Sequence, residues 1–285
     1  MTNNTVTGTL TQMGGVTFLL DEDGTHHFRG KNIWGGYIHH WMGEKLCGRY
    51  LPQSDYETGS PIIILWPDEP PPTTPFVDFY YNESLVKYIA STFGHNAVNV
   101  NGEIFNFSHL LNENEVMEKE EYFYRPALGE FAPSPNNGVF EILEDGRAFF
   151  DKFGRNFMRT IHVLRIEGID TERLAGIYHQ ELTAIHSSAP HKKDPEKYRD
   201  FNFFTRSCST IIRDGFVKYG FTKIKGVFPR DLFVNIAYEL QKESALNIRI
   251  FKMPQLLVTE APPSRMTPLL NPLNRKRVRS LTYEN

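Results

Sequence analysis

The stretch GHNAVNVNGEIFNFSH, residues 94–109, decides the fold prediction for this chain. It holds two alternating segments separated by Asn101-Gly102, and Asn-Gly in that setting is the strongest short-range signal for a β-hairpin. With these two residues at the centre of the turn, Val100 opposes Glu103 and the side chains sort onto two faces. One face is apolar and is predicted to lie against the core: Val98, Val100, Phe105 and Phe107.

The other face of the hairpin is predicted to be small and polar. It carries His95, Ala97 and Asn99 opposite Ser108, Asn106 and Ile104. His95 is therefore expected within cross-strand or diagonal reach of Asn106. A histidine in this position is more often a surface residue than a catalyst, so a catalytic role depends on a partner elsewhere in the chain.

The candidate partner is Cys208, in the segment FNFFTRSCSTII, residues 201–212. The aromatic run is interpreted as a buried segment that leads to Cys208. Ser207, Ser209 and Thr210 are residue types that often cap the start of a helix. They place Cys208 at or just before the first turn of a helix predicted over residues 209–219. Free amides at a helix start carry partial positive charge, which lowers a thiol pKa and can hold an oxyanion. The sequence thus predicts a reactive thiolate; the alternative is a small buried apolar residue.

These motifs carry a family resemblance. The strand GHNAVNV, the strand IFNF after the turn, and the later segment FFTRSCSTII followed by Gly220 resemble the permuted papain-like cysteine hydrolases. Those proteins are circularly permuted relatives of NlpC-type peptidoglycan amidases and of lecithin retinol acyltransferase. Their Gly-His strand precedes an aromatic-flanked Asn-Cys motif that opens a helix. The resemblance covers roughly residues 85–235, and Ser207 stands where the family commonly has asparagine.

The resemblance implies a catalytic triad. His95 is the implied base, Cys208 the nucleophile and Asn106 the residue that orients the imidazole. The chemistry agrees with general principles, since a thiolate can attack an amide carbonyl while an imidazole transfers the proton. The family also implies peptidoglycan as substrate, and thereby an antibacterial effector of a type VI secretion system. A secretion-apparatus partner and an immunity protein are expected with that role.

Composition narrows the function classes. The 285 residues include 31 basic and 34 acidic side chains, a net charge near −3, which does not favour nucleic-acid binding. The longest apolar run, PIIILW at residues 61–66, is too short to span a membrane. The first residues lack the pattern of a signal peptide, so we expect the protein to be cytoplasmic in the producing cell. Any export would then not depend on a signal peptide.

The expected architecture is α+β with two domains. The proline-rich seam at residues 67–75 separates a small OB- or SH3-like β-barrel module (1–72, for loading, targeting or binding) from a permuted papain-like domain (76–260). Barrel strands are predicted at residues 5–11, 16–20, 26–29, 46–51 and 62–66. Helices are predicted at residues 83–93, 171–185, 209–219 and 229–242, and further strands at 159–167 and 249–259. A basic, proline-containing tail, 261–285, is expected to be solvated and mobile.

Other candidate sites are weaker. His179 and His186 lie two helical turns apart without a convincing third ligand, so helix-surface histidines are expected and no metal. No phosphate-binding or dinucleotide fingerprint occurs, so no cofactor is expected. Four residues form either a barrel core or an exposed patch for a glycan or protein: Trp34, Tyr37, Trp41 and Met42. The competing functions are an interaction protein with an inert papain-like scaffold, and a lipid acyltransferase or thioesterase on the same fold.

Overall fold

The computed structural model describes residues 5–31, 33, 35–54, 61–70, 72–84, 92–109, 114–124, 159–257 and 263–284. Within these ranges the protein is a mixed α and β structure built on two open antiparallel sheets and a short two-stranded ribbon. The helix predicted over residues 83–93 lies mostly outside the described residues, as do Trp34 and the side chain of Tyr37.

The first sheet is formed by the N-terminal third of the chain. Its strands pair in the order β3-β2-β1-β4-β5, and helix α1 (Gly35–Trp41) connects β3 to β4. The five strands are β1 (Val6–Met13), β2 (Val16–Leu20), β3 (His26–His27), β4 (Lys45–Ser54) and β5 (Pro61–Pro67). They agree with the predicted strands to within a few residues, and Gly14-Gly15 forms the turn between β1 and β2. Among the described strands, however, β3 and β5 are edges that do not pair with each other, so these strands form an open sheet, and the predicted barrel stays a prediction.

The second sheet contains six strands in the order β13-β10-β6-β7-β8-β9, and every described pair is antiparallel. The strands are β6 (Phe76–Asn82), β7 (His95–Val100), β8 (Glu103–Asn106), β9 (Glu115–Met117), β10 (Ile161–Glu167) and β13 (Asn247–Met253). The predicted hairpin is confirmed: Val100 pairs with Glu103 and Val98 with Phe105, and Asn101 has the positive φ that this turn requires.

Helices cover one face of the second sheet. These are α3 (Thr171–His186), α4 (Cys208–Tyr219) and α5 (Pro229–Leu240), and all three agree with the sequence prediction to within a few residues. The side chain of Asp170 caps α3, and proline occupies the first turn of α5. The ribbon of β11 (Pro190–His191) and β12 (Asp194–Tyr198) connects α3 to the segment before α4.

The opposite face of the second sheet is buried as well, although the hairpin side chains on it are mostly small or polar, as predicted. Ala97 and Ile104 pack there with Tyr80, Tyr122 and Phe123, the last two from helix α2 (Lys119–Phe123). The sequence of the hairpin alone could not indicate this burial, because the covering side chains come from β6 and α2.

Helix α2 also joins the two sheets. Arg49 of β4 is only 2% exposed, and its Nη2 lies 2.6 Å from Glu121, 3.0 Å from Glu118 and 3.4 Å from Glu120. Residues 68–75 connect β5 to β6 at the proline-rich seam. The predicted domain boundary at this seam stays a prediction, and the two sheets share a charged contact next to it.

The described part of the tail, residues 263–284, is folded onto the second sheet, so the expectation of a mobile end is wrong. It contains α6 (Pro272–Arg277) and a 3-10 turn (Val278–Ser280). Asp231 accepts hydrogen bonds from the amides of Leu270 and Asn271. The Tyr283 hydroxyl lies 2.9 Å from His162 Nδ1, and Glu284 pairs with Arg249. These bonds come from distant elements, which the composition of the tail does not reveal.

Candidate active site

Cys208 is the first residue of helix α4, and a reciprocal cap fixes it there. The Ser207 hydroxyl accepts a hydrogen bond from the amide of Thr210, and the Thr210 hydroxyl oxygen accepts one from the amide of Ser207 at 2.7 Å. This arrangement is a capping box, which defines the residue at which a helix begins. The sequence-predicted position of Cys208 at the start of a helix is therefore confirmed.

The start of α4 is attached to strand β7. The Ser209 hydroxyl donates to Asn96 Oδ1 at 2.9 Å, and both residues are fully buried. The Asn96 side-chain amide donates in turn to the carbonyl of Tyr80. The backbone amide of Asn96 acts to lower the pKa of the Cys208 thiol. Because Ser209 follows Cys208 and Asn96 follows His95 in the sequence, the hydrogen bond between Ser209 and Asn96 brings the backbones of the two predicted catalytic residues to the same end of the sheet.

His95 is hydrogen-bonded to Asn106. The distance from His95 Nε2 to Asn106 Oδ1 is 2.6 Å, and Asn106 is 5% exposed. Since the amide oxygen only accepts, Nε2 carries the proton of the neutral ring and Nδ1 carries the lone pair. The structure thus pairs His95 with the residue that was predicted to orient it, across the diagonal of the β7–β8 hairpin.

Strand alternation assigns these side chains to different faces. The side chain of Asn96 points toward α4, whereas that of His95 lies on the other face with Ala97 and Asn106. His95 is the first residue of β7, so this is the end of the sheet.

Tyr122 and Asn82 are neighbours of the site that the sequence analysis missed. Asn82 pairs with His95 across β6 and β7, and its side-chain amide donates to the Tyr122 hydroxyl at 2.7 Å. Burial raises the pKa of Tyr122, which is 1% exposed and remains a neutral phenol at physiological pH. No local signal marks either residue, because strand pairing and the packing of α2 bring them to this end of the sheet.

The acidity of Cys208 differs from the sequence prediction. Burial raises the pKa of its thiol above the ordinary value. Hydrogen bonds from the amides of Asn96 and Ser209, and from the Ser209 hydroxyl, act in the opposite direction without cancelling the effect of burial. This direction is opposite to the lowered pKa that the sequence predicted, and a thiol with a raised pKa needs a base during attack.

The aromatic run before Cys208 also differs from its prediction. Phe203 is 40% exposed and Phe204 is 64% exposed, so the run is not a buried approach. Phe201, at 36%, is exposed as well and contacts His109. The segment that precedes helix α4 therefore carries solvent-exposed phenylalanine rings.

The rival histidines have separate partners. His179 Nε2 lies 3.2 Å from Glu103, and His186 Nε2 lies 2.6 Å from the carbonyl oxygen of Asn114. In the part of the chain that the structure describes, no group of three or more His, Cys, Asp or Glu side chains could hold a metal ion. Trp41 packs against the core of the first sheet and against Tyr124, whereas Met42 is 39% exposed.

No protein-family model, curated protein or solved structure matches this chain. Over the described ranges, none of the helices has the length and apolar character needed to cross a bilayer.

Proposed function

We propose that the protein is a cysteine hydrolase that cleaves amide bonds, with Cys208 as nucleophile, His95 as base and Asn106 as the residue that orients the imidazole. The observation that carries the proposal is the joint placement of these groups at one end of the second sheet. Ser209, next to Cys208, donates to Asn96, next to His95, at 2.9 Å, and His95 is held by Asn106 at 2.6 Å. The proposed fold of this part is the permuted papain-like arrangement.

The reaction begins with a neutral thiol. His95 takes the thiol proton on Nδ1 while the sulfur attacks the amide carbonyl carbon, and a carbon–sulfur bond forms. The resulting oxyanion accepts hydrogen bonds from backbone amides beside the sulfur, such as those of Cys208 and Ser209. The imidazolium then gives its proton to the leaving nitrogen, the carbon–nitrogen bond breaks, and a thioester remains.

Water completes the turnover. His95 accepts a proton from water as the water oxygen attacks the thioester, and the carbon–sulfur bond breaks. The proton returns to sulfur, so the net reaction is amide plus water to carboxylic acid plus amine. The hydrogen bond to Asn106 keeps Nε2 protonated throughout, which leaves the exchange to Nδ1.

The proposed natural substrate is bacterial peptidoglycan, and the proposed setting is an antibacterial effector delivered by a type VI secretion system. Both rest on the family resemblance of the His95 and Cys208 segments. The N-terminal sheet is proposed as the loading, targeting or binding module, with a secretion component or an immunity protein as its partner.

The test is digestion of purified cell-wall sacculi and of a panel of unrelated peptides, with products identified by mass spectrometry. Cys47→Ala is the matched control, because it removes the other cysteine, whose thiol pKa burial also raises. We expect the wild type and Cys47→Ala to release the same fragments, and Cys208→Ala and His95→Ala to release none. Equal products from the wild type and Cys208→Ala, or no product from the wild type on any substrate, would contradict the assignment.

The second candidate function is a non-catalytic interaction protein. The observation that favours it is the raised pKa of Cys208, which is also expected of a structural cysteine. Iodoacetamide separates the two functions: a catalytic thiol is alkylated in the folded protein, whereas an inert one is alkylated only after denaturation.

A further inference from the structure

A cavity lies between the two sheets, at the turn of the β7–β8 hairpin. Its volume is about 300 Å³, and it is bordered by β4 and β5 of the first sheet, by helix α2 and by the hairpin turn. Asn101 and Gly102 of this turn line the cavity, whereas His95 begins strand β7. The cavity is therefore at the opposite end of β7 from the candidate active site, and the proposed function gives it no role.

Aromatic residues form part of the cavity lining. Trp66 of β5, Phe76 of β6 and Tyr124, which follows α2, all border it. Trp66 and Tyr124 pack against the buried side chains of Leu51 and Ile64, and Phe76 is only 7% exposed. These residues therefore belong to the packed structure and are in place before any ligand binds. Aromatic side chains attract cations through the negative faces of their rings.

In the described lining of the cavity, acidic side chains outnumber basic ones. Asp68, Glu69 and Glu120 line it together with one basic residue, Lys119. Burial raises the pKa of the Cys47 thiol, which also lines the cavity, and the charges of Asp68 and Glu120 raise it further. The lining is therefore electronegative, which favours the binding of a cation and disfavours that of an anion.

The cations nearest these carboxylates do not neutralise the cavity. Lys45 Nζ lies 3.7 Å from Asp68, but it also lies 3.4 Å from Glu22. Arg49 Nη2 lies 3.4 Å from Glu120, and it contacts two further carboxylates of the same segment. Because each cation is shared, the cavity keeps an excess of negative charge that a bound cation would offset.

Lys119 occupies a position beside Glu69 that a cationic ligand could take. Its Nζ lies 2.9 Å from the Glu69 carboxylate, and the two side chains are 49% and 58% exposed. An exposed ion pair of this kind contributes little stability, so a ligand can displace the lysine at small cost. The acidic residues themselves are held by their backbones, since the amide of Asp68 donates to the carbonyl of Lys45 and that of Glu69 to the carbonyl of Pro67.

We propose that this cavity binds an organic cation, namely a primary ammonium group on a short apolar stem. The ammonium group lies beside Asp68 and Glu69, and the stem lies against the aromatic residues. A free amine and the lysine side chain of a partner polypeptide share this chemistry. A volume of about 300 Å³ is at the lower end of small-molecule sites, which suits a ligand of this size. The inference is independent of the proposed hydrolase, because Cys208, His95 and Asn106 are not among the residues that line the cavity.

The experiment is calorimetric titration of the full chain with cadaverine, and with glutarate and pentanediol as anionic and neutral ligands of similar length. We expect saturable binding of cadaverine alone. Asp68→Asn and Glu69→Gln should each weaken this binding about tenfold, because each removes a charge-assisted hydrogen bond to the ammonium group. Lys119→Met should strengthen it about threefold, because the competing cation is removed, and a folding defect cannot produce such a gain.

Glu172→Gln is the matched control for the loss of one negative charge. Glu172 is an exposed residue in the first turn of α3 and does not line the cavity, so its substitution should leave the affinity for cadaverine unchanged. An effect of Glu172→Gln as large as that of Asp68→Asn would overturn the inference, since binding would then depend on overall charge. Equal binding of cadaverine and glutarate would overturn it as well.

A second pair of ligands distinguishes the two sources of the cation. A capped Gly-Lys-Gly tripeptide and its norleucine counterpart differ only in the ammonium group, so the lysine form should bind more tightly. Tighter binding of the lysine tripeptide than of cadaverine assigns the cavity to a partner side chain, and the reverse order assigns it to a free amine. The absence of saturable binding by either cation would refute the cavity as a cation site and leave the proposed hydrolase untouched.

Discussion

The hydrogen bond between Ser209 and Asn96 should determine how firmly helix α4 is attached to strand β7. Ser209→Ala removes a 2.9 Å bond between two fully buried side chains and leaves Asn96 Oδ1 without this donor. An unsatisfied buried acceptor costs about 1–3 kcal/mol, so the free energy of unfolding should fall by that amount. The substitution removes one hydroxyl, so cavity formation contributes little to the loss.

The assay is urea denaturation followed by circular dichroism, with the slope of the transition compared between variants. Ser187→Ala is the matched control, because its hydroxyl donates to the carbonyl of Ala184 at an exposed position. We expect the control to stay within about 0.5 kcal/mol of the wild type. Asn96→Ala and the double variant complete a mutant cycle, for which direct contact predicts a coupling of about 0.5–3 kcal/mol.

A change for Ser209→Ala no larger than that of the control, together with additive effects in the cycle, would refute the reasoning. It would mean that α4 and β7 are held together by apolar packing alone. The proposed alignment of Cys208 beside His95 would then lose its polar anchor. Retention of wild-type hydrolysis by a variant that is clearly destabilised would show that the anchor stabilises the fold without aligning the site.

Three further predictions concern acidity and backbone strain. Because burial raises the pKa of Cys208, its alkylation rate in the folded protein should still increase with pH above neutrality; a plateau below pH 7 would contradict this. Burial alone would raise the pKa of Glu83, but hydrogen bonds from His162 and Ser264 hold it below 4.5. The Glu83 carboxylate should therefore stabilise the fold above about pH 4.5, and this stabilisation should be lost as the pH falls through the lower pKa of the folded state. We expect the urea midpoints of the wild type and Glu83→Gln to converge at acid pH. A difference between these midpoints that does not change with pH would contradict the prediction. Gly94→Ala should lower the free energy of unfolding, measured with heat or urea, by about 1–3 kcal/mol. The reason is that φ of Gly94 is +77° and the new Cβ would lie 2.5 Å from the carbonyl oxygen of Asn82. Unchanged stability would show that the turn before His95 relaxes freely.

The elements of this fold were predictable where local chemistry specifies them. Asn101-Gly102 fixes the register of the β7–β8 hairpin, so the pairing of Val98 with Phe105 followed from the sequence. Ser207 and Thr210 fix the start of α4 by the same kind of local rule. The diagonal contact of His95 with Asn106 is a consequence of that register, and the structure contains it.

Features that depend on distant packing were not predictable. The face of the hairpin that bears His95 is buried because Tyr122 and Phe123 arrive from α2. The pKa of Cys208 is raised because burial outweighs the amides at the helix start, and the extent of burial cannot be read from residues 201–212. Phe203 and Phe204 are exposed because the side chain of Asn202 closes a turn, which dominates over their apolar character.

The measurement that tests the central claim most directly is intact-protein mass spectrometry of the enzyme quenched during turnover, followed by peptide mapping. The account predicts an acyl adduct on Cys208 in the wild type, and none in Cys208→Ala. It also predicts slower formation of the adduct in His95→Ala and in Asn106→Ala. Turnover without any adduct on Cys208, or an adduct whose rate is the same with and without His95, would contradict the proposed mechanism.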